Sequence, residues 1–71
     1  MPHVAITMFP GRDEETKRDL ARKTQQLLVR ELGVEPQYVS VSIQDVPAEE
    51  WAQSMQRFSD DILFVKPGAQ E

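Results

Sequence analysis

The sequence predicts an α/β (α+β) fold built on a single β-α-β unit with parallel strands. In residues 4–8 and 39–43, larger apolar side chains alternate with small or polar ones, which is the period-two pattern of a half-buried strand. Between them, residues 14–32 repeat apolar side chains at spacings of three and four, which is typical of a helix with one apolar face. Residues 10–38 are long enough for a right-handed crossover, so we expect the two strands to be parallel.

The first strand begins directly after the amino end of the chain. Pro2 precedes it, and a proline at the first position of a strand costs no ladder hydrogen bond. Val4, Ile6 and Met8 fall on one face of this strand. Residues 9–13, which include a Pro-Gly pair, predict the connection to the helix.

We expect the helix to run from Glu14 to about Leu32. Asp13 is placed to cap its first turn, and Gly33 is placed to end it. The apolar stripe that should face the strands consists of Leu20, Ala21, Thr24, Leu27, Leu28 and Leu32.

The second half of the chain contains the second strand, a short second helix and a C-terminal tail. Pro47 suits the first turn of a helix, and the apolar spacing that follows predicts a helix from about Pro47 to Phe58. Residues 62–65 fit either a further helical turn or a short β-segment that packs on a neighbouring copy. We expect residues 1–71 to form one domain.

Size and composition favour a homo-oligomer. A chain of 71 residues buries a small core, and it has no cysteine for disulfides or thiolate metal sites. A two-stranded sheet is too small to stand alone, so we expect a second copy to complete it, with a dimer favoured over a hexamer. The single histidine predicts no metal site.

The charge balance and the apolar runs exclude two classes of partner. Eight basic and twelve acidic residues give a net charge of −4, which argues against nucleic-acid binding. The longest apolar run, residues 62–65, is far shorter than the roughly 20 residues of a membrane span. The N-terminus lacks the features of a signal peptide, so we expect a soluble, cytoplasmic protein.

Pro2 is the first candidate for chemistry. Methionine aminopeptidases cleave before small residues, proline included, and removal of Met1 turns the Pro2 nitrogen into a secondary amine. Burial in an apolar pocket or a nearby cation lowers the pKa of such an amine, which then acts as a base near neutral pH. The alternative is that Pro2 only favours cleavage and starts a strand.

Arg12 and Trp51 are the candidates for substrate binding. Arg12 follows a Pro-Gly pair at the point where the chain leaves the first strand. It either binds a substrate carboxylate in bidentate fashion or is a solvated loop residue. Trp51 either lines an apolar pocket with Met55 and Phe58 or belongs to the core. His3 is expected at the surface or at an interface.

Ser40 and Ser42 alternate with the valines of the second strand and are expected to face a neighbouring layer. No basic partner in the sequence marks either serine as a nucleophile.

These residues resemble the 4-oxalocrotonate tautomerase family, most closely its short bacterial PptA-type subgroup. The resemblance rests on the Met-Pro-His opening, the Gly-Arg pair before an acidic helix, the strand at residues 39–43 and the tryptophan at position 51. The Glu-x-Trp stretch and the Lys-Pro-Gly ending support the subgroup. The similarity runs from Pro2 to about Met55.

The resemblance implies a cofactor-independent keto–enol tautomerase that acts on small 2-oxo acids. It implies that Pro2 is the general base, that Arg12 binds the substrate and that Trp51 lines the apolar pocket, with no metal or cofactor. The family's second arginine corresponds to Ser40, which favours a monocarboxylate such as phenylenolpyruvate over a dicarboxylate. Two alternatives stay open: a hydratase, dehalogenase or decarboxylase of the same superfamily, and a non-catalytic oligomeric binding module.

Overall fold

The computed structural model describes residues 1–68, in which a helix connects two parallel strands. Strand β1 (His3–Met8) pairs with strand β2 (Ser40–Asp45), and helix α1 (Glu14–Leu32) joins them. The register sets His3 opposite Ser40 and Met8 opposite Asp45. The predicted β-α-β unit with parallel strands is confirmed.

Helix α1 has the predicted bounds because both of its ends are capped. The Asp13 carboxylate accepts a hydrogen bond from the Thr16 N–H at 2.8 Å. Hydrogen bonding from Thr16, from its side chain first and from its backbone N–H second, lowers the pKa of Asp13, since it favours the ionised form. At the other end Gly33 adopts a left-handed conformation with φ 70°, and its N–H donates to the Val29 carbonyl at 3.0 Å.

One face of the sheet packs beneath α1. The half-buried strand residues of this face pair across the sheet in register: Val4 with Val41 and Ile6 with Ile43. Val39 and Val46, at the two ends of β2, are the most deeply buried apolar residues of the described chain, at 6% and 4% exposure. Burial therefore concentrates around β2, as expected when a single helix covers a two-stranded sheet.

A cross-element ion pair ties the start of α1 to the end of β2. The Lys17 ammonium lies 3.1 Å from the Asp45 carboxylate, and the Lys17 side chain is largely covered. The hydrogen bond to Asp45 raises the pKa of Lys17. Beside this pair, the Val46 N–H donates to the Met8 carbonyl at 2.8 Å, so the ends of both strands are held together.

The second half of the chain departs from the predicted bounds. The predicted helix over residues 47–58 is shorter: a 3-10 turn (Ala48–Glu50) leads into helix α2 (Trp51–Met55). Strand β2 begins and ends later than predicted. In the tail, a 3-10 turn covers Asp60–Ile62, and residues 63–65 form neither of the two predicted structures.

Much apolar surface stays exposed in the single chain. Leu20, Leu27 and Leu32 of the predicted helix stripe are exposed, as are Phe64 and Val65 of the tail. In residues 1–68 the sheet has two strands, so each strand has one unpaired edge. No helix within those residues is long and apolar enough to cross a membrane.

Candidate active site

Pro2 lies at the amino end of β1, beside the start of β2. It is half-buried, and its carbonyl accepts a hydrogen bond from the Ser40 N–H at 3.2 Å. Met1 is 94% exposed, so the bond between Met1 and Pro2 is accessible to a peptidase. The geometry thus holds Pro2 against the body of the protein while Met1 extends into solvent.

A pocket lies at the opposite end of β1 and combines aromatic rings with a cation. It has a volume of about 340 Å³ and is lined by Thr7, Met8, Phe9, Arg12 and Trp51. The rings of Phe9 and Trp51 meet edge to face, with centroids 5.0 Å apart and an interplanar angle of 80°. This is a favourable aromatic geometry, and the volume falls within the range of small-ligand sites.

The turn between β1 and α1 brings Arg12 to this pocket. Gly11 has φ 134°, a conformation that favours glycine, and it lets the chain turn sharply before Arg12. The neighbouring Asp13 carboxylate caps α1. Among the ion pairs found in residues 1–68, none involves Arg12, so its guanidinium is available to a ligand carboxylate.

Arg12 and Trp51, both predicted binding residues, line this pocket together with Phe9, which was not predicted to bind. Phe9 directly follows β1, in the segment predicted to connect the strand to the helix, although an aromatic residue next to a Pro-Gly turn is a usable signal. It is 49% exposed, with one side against Trp51. Met55 and Phe58, which were candidates to line the pocket with Trp51, are not among its lining residues.

The structure brings Arg12 and Trp51 together, but it does not bring them to Pro2. Pro2 precedes the first residue of β1, whereas the pocket begins at Thr7 and Met8 near the other end of the strand, which at 3.3 Å per residue corresponds to about 17 Å from Pro2 to Thr7 and about 23 Å to Phe9. The amine and the pocket of one chain are therefore too far apart to contact the same small molecule.

His3 bridges two serines on the sheet face opposite α1. Its Nδ1 lies 2.7 Å from Ser40 Oγ, and its Nε2 lies 3.0 Å from Ser42 Oγ. The expectation that these serines have no basic partner is therefore wrong, because the strand register sets His3 opposite Ser40. Within residues 1–68, histidine and carboxylate side chains form no group of three that could hold a metal ion.

Comparison with known proteins agrees with this architecture. The family model described as "Tautomerase enzyme" matches residues 2–61. A probable tautomerase from Xylella fastidiosa is 33% identical over 74 residues, covering 96% of this chain and 88% of the relative. A 2-hydroxymuconate tautomerase from Comamonas testosteroni is 41% identical over 51 residues, covering 72% of this chain and 81% of the relative.

A solved structure shows the same fold. A 4-oxalocrotonate tautomerase isozyme from Methylibium petroleiphilum superposes with a TM-score of 0.67 at 38% identity, covering 70% of this chain and 81% of that chain. The match of the family model to most of the chain, the sequence relatives and this shared fold agree with one another. The chain therefore belongs to the tautomerase family and is an isomerase of the keto–enol tautomerase type.

Proposed function

We propose that the protein ketonises small 2-oxo acid enols of the phenylenolpyruvate type, with the processed Pro2 amine as general base. The single observation that carries this proposal is the pocket in which the Arg12 guanidinium lies beside the Phe9–Trp51 aromatic pair. A cation next to an aromatic wall suits a molecule that has a carboxylate at one end and an aryl group at the other.

The distance between Pro2 and the pocket implies that two copies share each site. The edge of β1 that has no partner strand within residues 1–68 can pair with the same edge of a second copy in antiparallel orientation, as the two-fold symmetry of a homodimer requires. Opposed residues of an antiparallel pair lie on the same face of the sheet, so a register centred on Ala5 places Pro2 of one copy opposite Met8 of the other, a residue that lines the pocket. The amine of one chain then lies next to the pocket of its partner.

In the proposed reaction, the Pro2 nitrogen accepts the proton of the enol hydroxyl. It then delivers a proton to the carbon at the other end of the C=C bond, next to the carbon that bears the hydroxyl. The enol O–H bond breaks, the π pair of the C=C bond forms the new C–H bond, and the C–O bond becomes a carbonyl. Arg12 binds the carboxylate and opposes the negative charge that develops on the oxygen. The aromatic pair holds the aryl group and excludes water from that side.

A monocarboxylate fits this pocket better than a dicarboxylate. Arg12 is the one cationic residue among those that line the pocket in the described chain. Ser40 stands where the resemblance implies a second arginine, so a second carboxylate has no matching charge. The relative named 2-hydroxymuconate tautomerase makes that dicarboxylate the second candidate substrate, to be compared directly with phenylenolpyruvate.

The deciding experiment compares wild-type protein with Pro2→Ala in the ketonisation of phenylenolpyruvate. Loss of a general base should lower kcat/KM by about 10²–10⁴-fold. Intact mass should first confirm that Met1 is absent from both proteins. A matched control retains Met1 through an N-terminal tag, which leaves the Pro2 nitrogen as an amide and should abolish activity.

The result also separates the alternatives. Full activity of Pro2→Ala would refute the proposed base. Failure of the wild type to ketonise either enol, together with hydration, dehalogenation or decarboxylation of a related acid, would point to a proline that acts in its protonated form. No turnover of any of these substrates would favour a non-catalytic oligomeric module.

A further inference from the structure

The first residue of β1 is fixed by its side chain as well as by its backbone. The imidazole of His3 reaches across to β2, where both of its nitrogens contact serine hydroxyls, Ser40 Oγ at 2.7 Å and Ser42 Oγ at 3.0 Å. The two serines are neighbours on one face of β2, and the ring spans the gap between them. We refer to His3, Ser40 and Ser42 as the histidine bridge.

The histidine bridge lies directly beside the proposed catalytic amine. Pro2 precedes His3 in the chain, and its carbonyl is bonded to the backbone of Ser40, the same residue whose side chain holds His3. Once Met1 is removed, Pro2 becomes the chain end, where backbones fray unless they are tied down. The backbone hydrogen bond is 3.2 Å long, and the two side-chain contacts of the histidine bridge add to the restraint at this end of β1.

The hydrogen-bonding capacity of the bridge suits restraint and not proton transfer. A serine hydroxyl either donates or accepts, so both contacts can be satisfied by a neutral imidazole and by an imidazolium. Both ring nitrogens are already occupied, which leaves neither free for a substrate. The ion pairs found in residues 1–68 do not involve His3.

We propose that His3 is a positioning residue that holds the Pro2 amine at the site through its bridge to Ser40 and Ser42. This inference rests on the proposed role of Pro2 as the base. Without the bridge, the amine moves between the site and bulk water, so a smaller fraction of molecules has the nitrogen aligned with the substrate. The amine also becomes better hydrated, which favours its protonated form.

The test compares His3→Ala with His3→Gln. Glutamine presents an oxygen and a nitrogen separated by one carbon, as the imidazole presents two nitrogens, so it can contact the serines without carrying a charge. The double variant Ser40→Ala/Ser42→Ala removes the partners and leaves His3 in place. Gln44→Ala, on the same sheet face but outside the bridge, is the matched control.

The readouts are the pH profile of kcat/KM for phenylenolpyruvate, the titration of ¹⁵N-labelled Pro2 by NMR, and the melting temperature. We expect His3→Ala and the double serine variant to lower kcat/KM at neutral pH by roughly tenfold. This is the size of effect expected when the net contribution of one or two hydrogen bonds is lost. Both should shift the acidic limb of the profile and the Pro2 titration to higher pH. In His3→Gln and Gln44→Ala, the acidic limb of the pH profile should lie at the same pH as in the wild type.

A purely structural role would lower the melting temperature without moving the acidic limb. Wild-type profiles in both His3→Ala and the double serine variant would overturn the inference, and so would a His3→Gln variant as impaired as His3→Ala. Pro2→Ala, measured alongside, separates the two levels of the proposal. If Pro2→Ala is inactive while the bridge variants behave as wild type, the positioning role fails and the proposed base stands. If Pro2→Ala is fully active, both fail.

Discussion

Arg12 is expected to bind the substrate carboxylate, and its removal should affect catalysis more than stability. A charged hydrogen bond contributes about 1.5–3 kcal/mol, so Arg12→Ala should lower kcat/KM for phenylenolpyruvate by about 10–100-fold. Arg12→Lys should recover part of this loss, because lysine keeps the charge but not the bidentate geometry. Steady-state kinetics measure both effects.

Arg18→Ala provides the control for this series. Arg18 is a solvated arginine of α1 that lies 4.0 Å from Glu14, outside the aromatic pocket. Its removal should leave kcat and KM unchanged. Unchanged kinetic constants in Arg12→Ala would remove Arg12 from the proposed site.

The residue types of the site could be found in the sequence, but their spatial arrangement could not. Pro2 and Arg12 can be recognised because one supplies an N-terminal secondary amine directly before a strand and the other a guanidinium directly after a Pro-Gly turn. The pairing of Phe9 with Trp51 depends on how α2 folds back on the end of β1, which no local pattern encodes. The contact between His3 and Ser40 depends on the strand register, which is fixed by packing along the whole crossover.

At the scale of elements, the N-cap of α1 should make stability depend on pH. The pKa of Asp13 is lowered in the folded protein, so the stabilisation is fully present above the carboxyl's ordinary value of 3.8 and is lost as the pH falls through the folded pKa. Asp13→Ala should lower the melting temperature by several degrees at neutral pH. Thermal unfolding between about pH 6 and pH 2 measures this dependence.

Asp13→Asn distinguishes the hydrogen bond from the charge. Asparagine caps helices as well as aspartate does but does not titrate in this range. This variant should keep most of the neutral-pH stability and lose the contribution of position 13 to the acid dependence. A wild-type melting temperature in Asp13→Ala at neutral pH would contradict the role of the cap.

Helix α1 was predictable to the residue because its signals are local, namely a capping carboxylate and a terminating glycine. The shorter α2 illustrates the opposite case. Its apolar spacing continues to Phe58, yet the helix ends at Met55, and Ala48–Glu50 form a 3-10 turn. A helix this short depends on tertiary contacts more than on propensity, so its pattern overestimates its length.

At the scale of the whole molecule, residues 1–68 of a single chain leave the sheet edges unpaired and three leucines of α1 exposed. An isolated two-stranded sheet is marginally stable at best, and exposed apolar side chains are normally covered in an assembly. The same incompleteness holds for the proposed site, because the amine and the pocket lie at opposite ends of β1. Stability and activity should therefore both depend on association with a second copy.

Mixing two impaired variants tests whether each site is shared between copies. Pro2→Ala lacks the base but keeps an intact pocket, whereas Arg12→Ala keeps the base but has a defective pocket. In an antiparallel dimer that contains one copy of each, the intact Pro2 lies beside the intact Arg12, and the other site has both defects. After unfolding and refolding of an equal mixture, half of the dimers are mixed and each has one complete site, so about one quarter of the wild-type activity should return. If Pro2 and Arg12 acted within one chain, the mixture would show only the average of the two variants, and the shared site would be excluded.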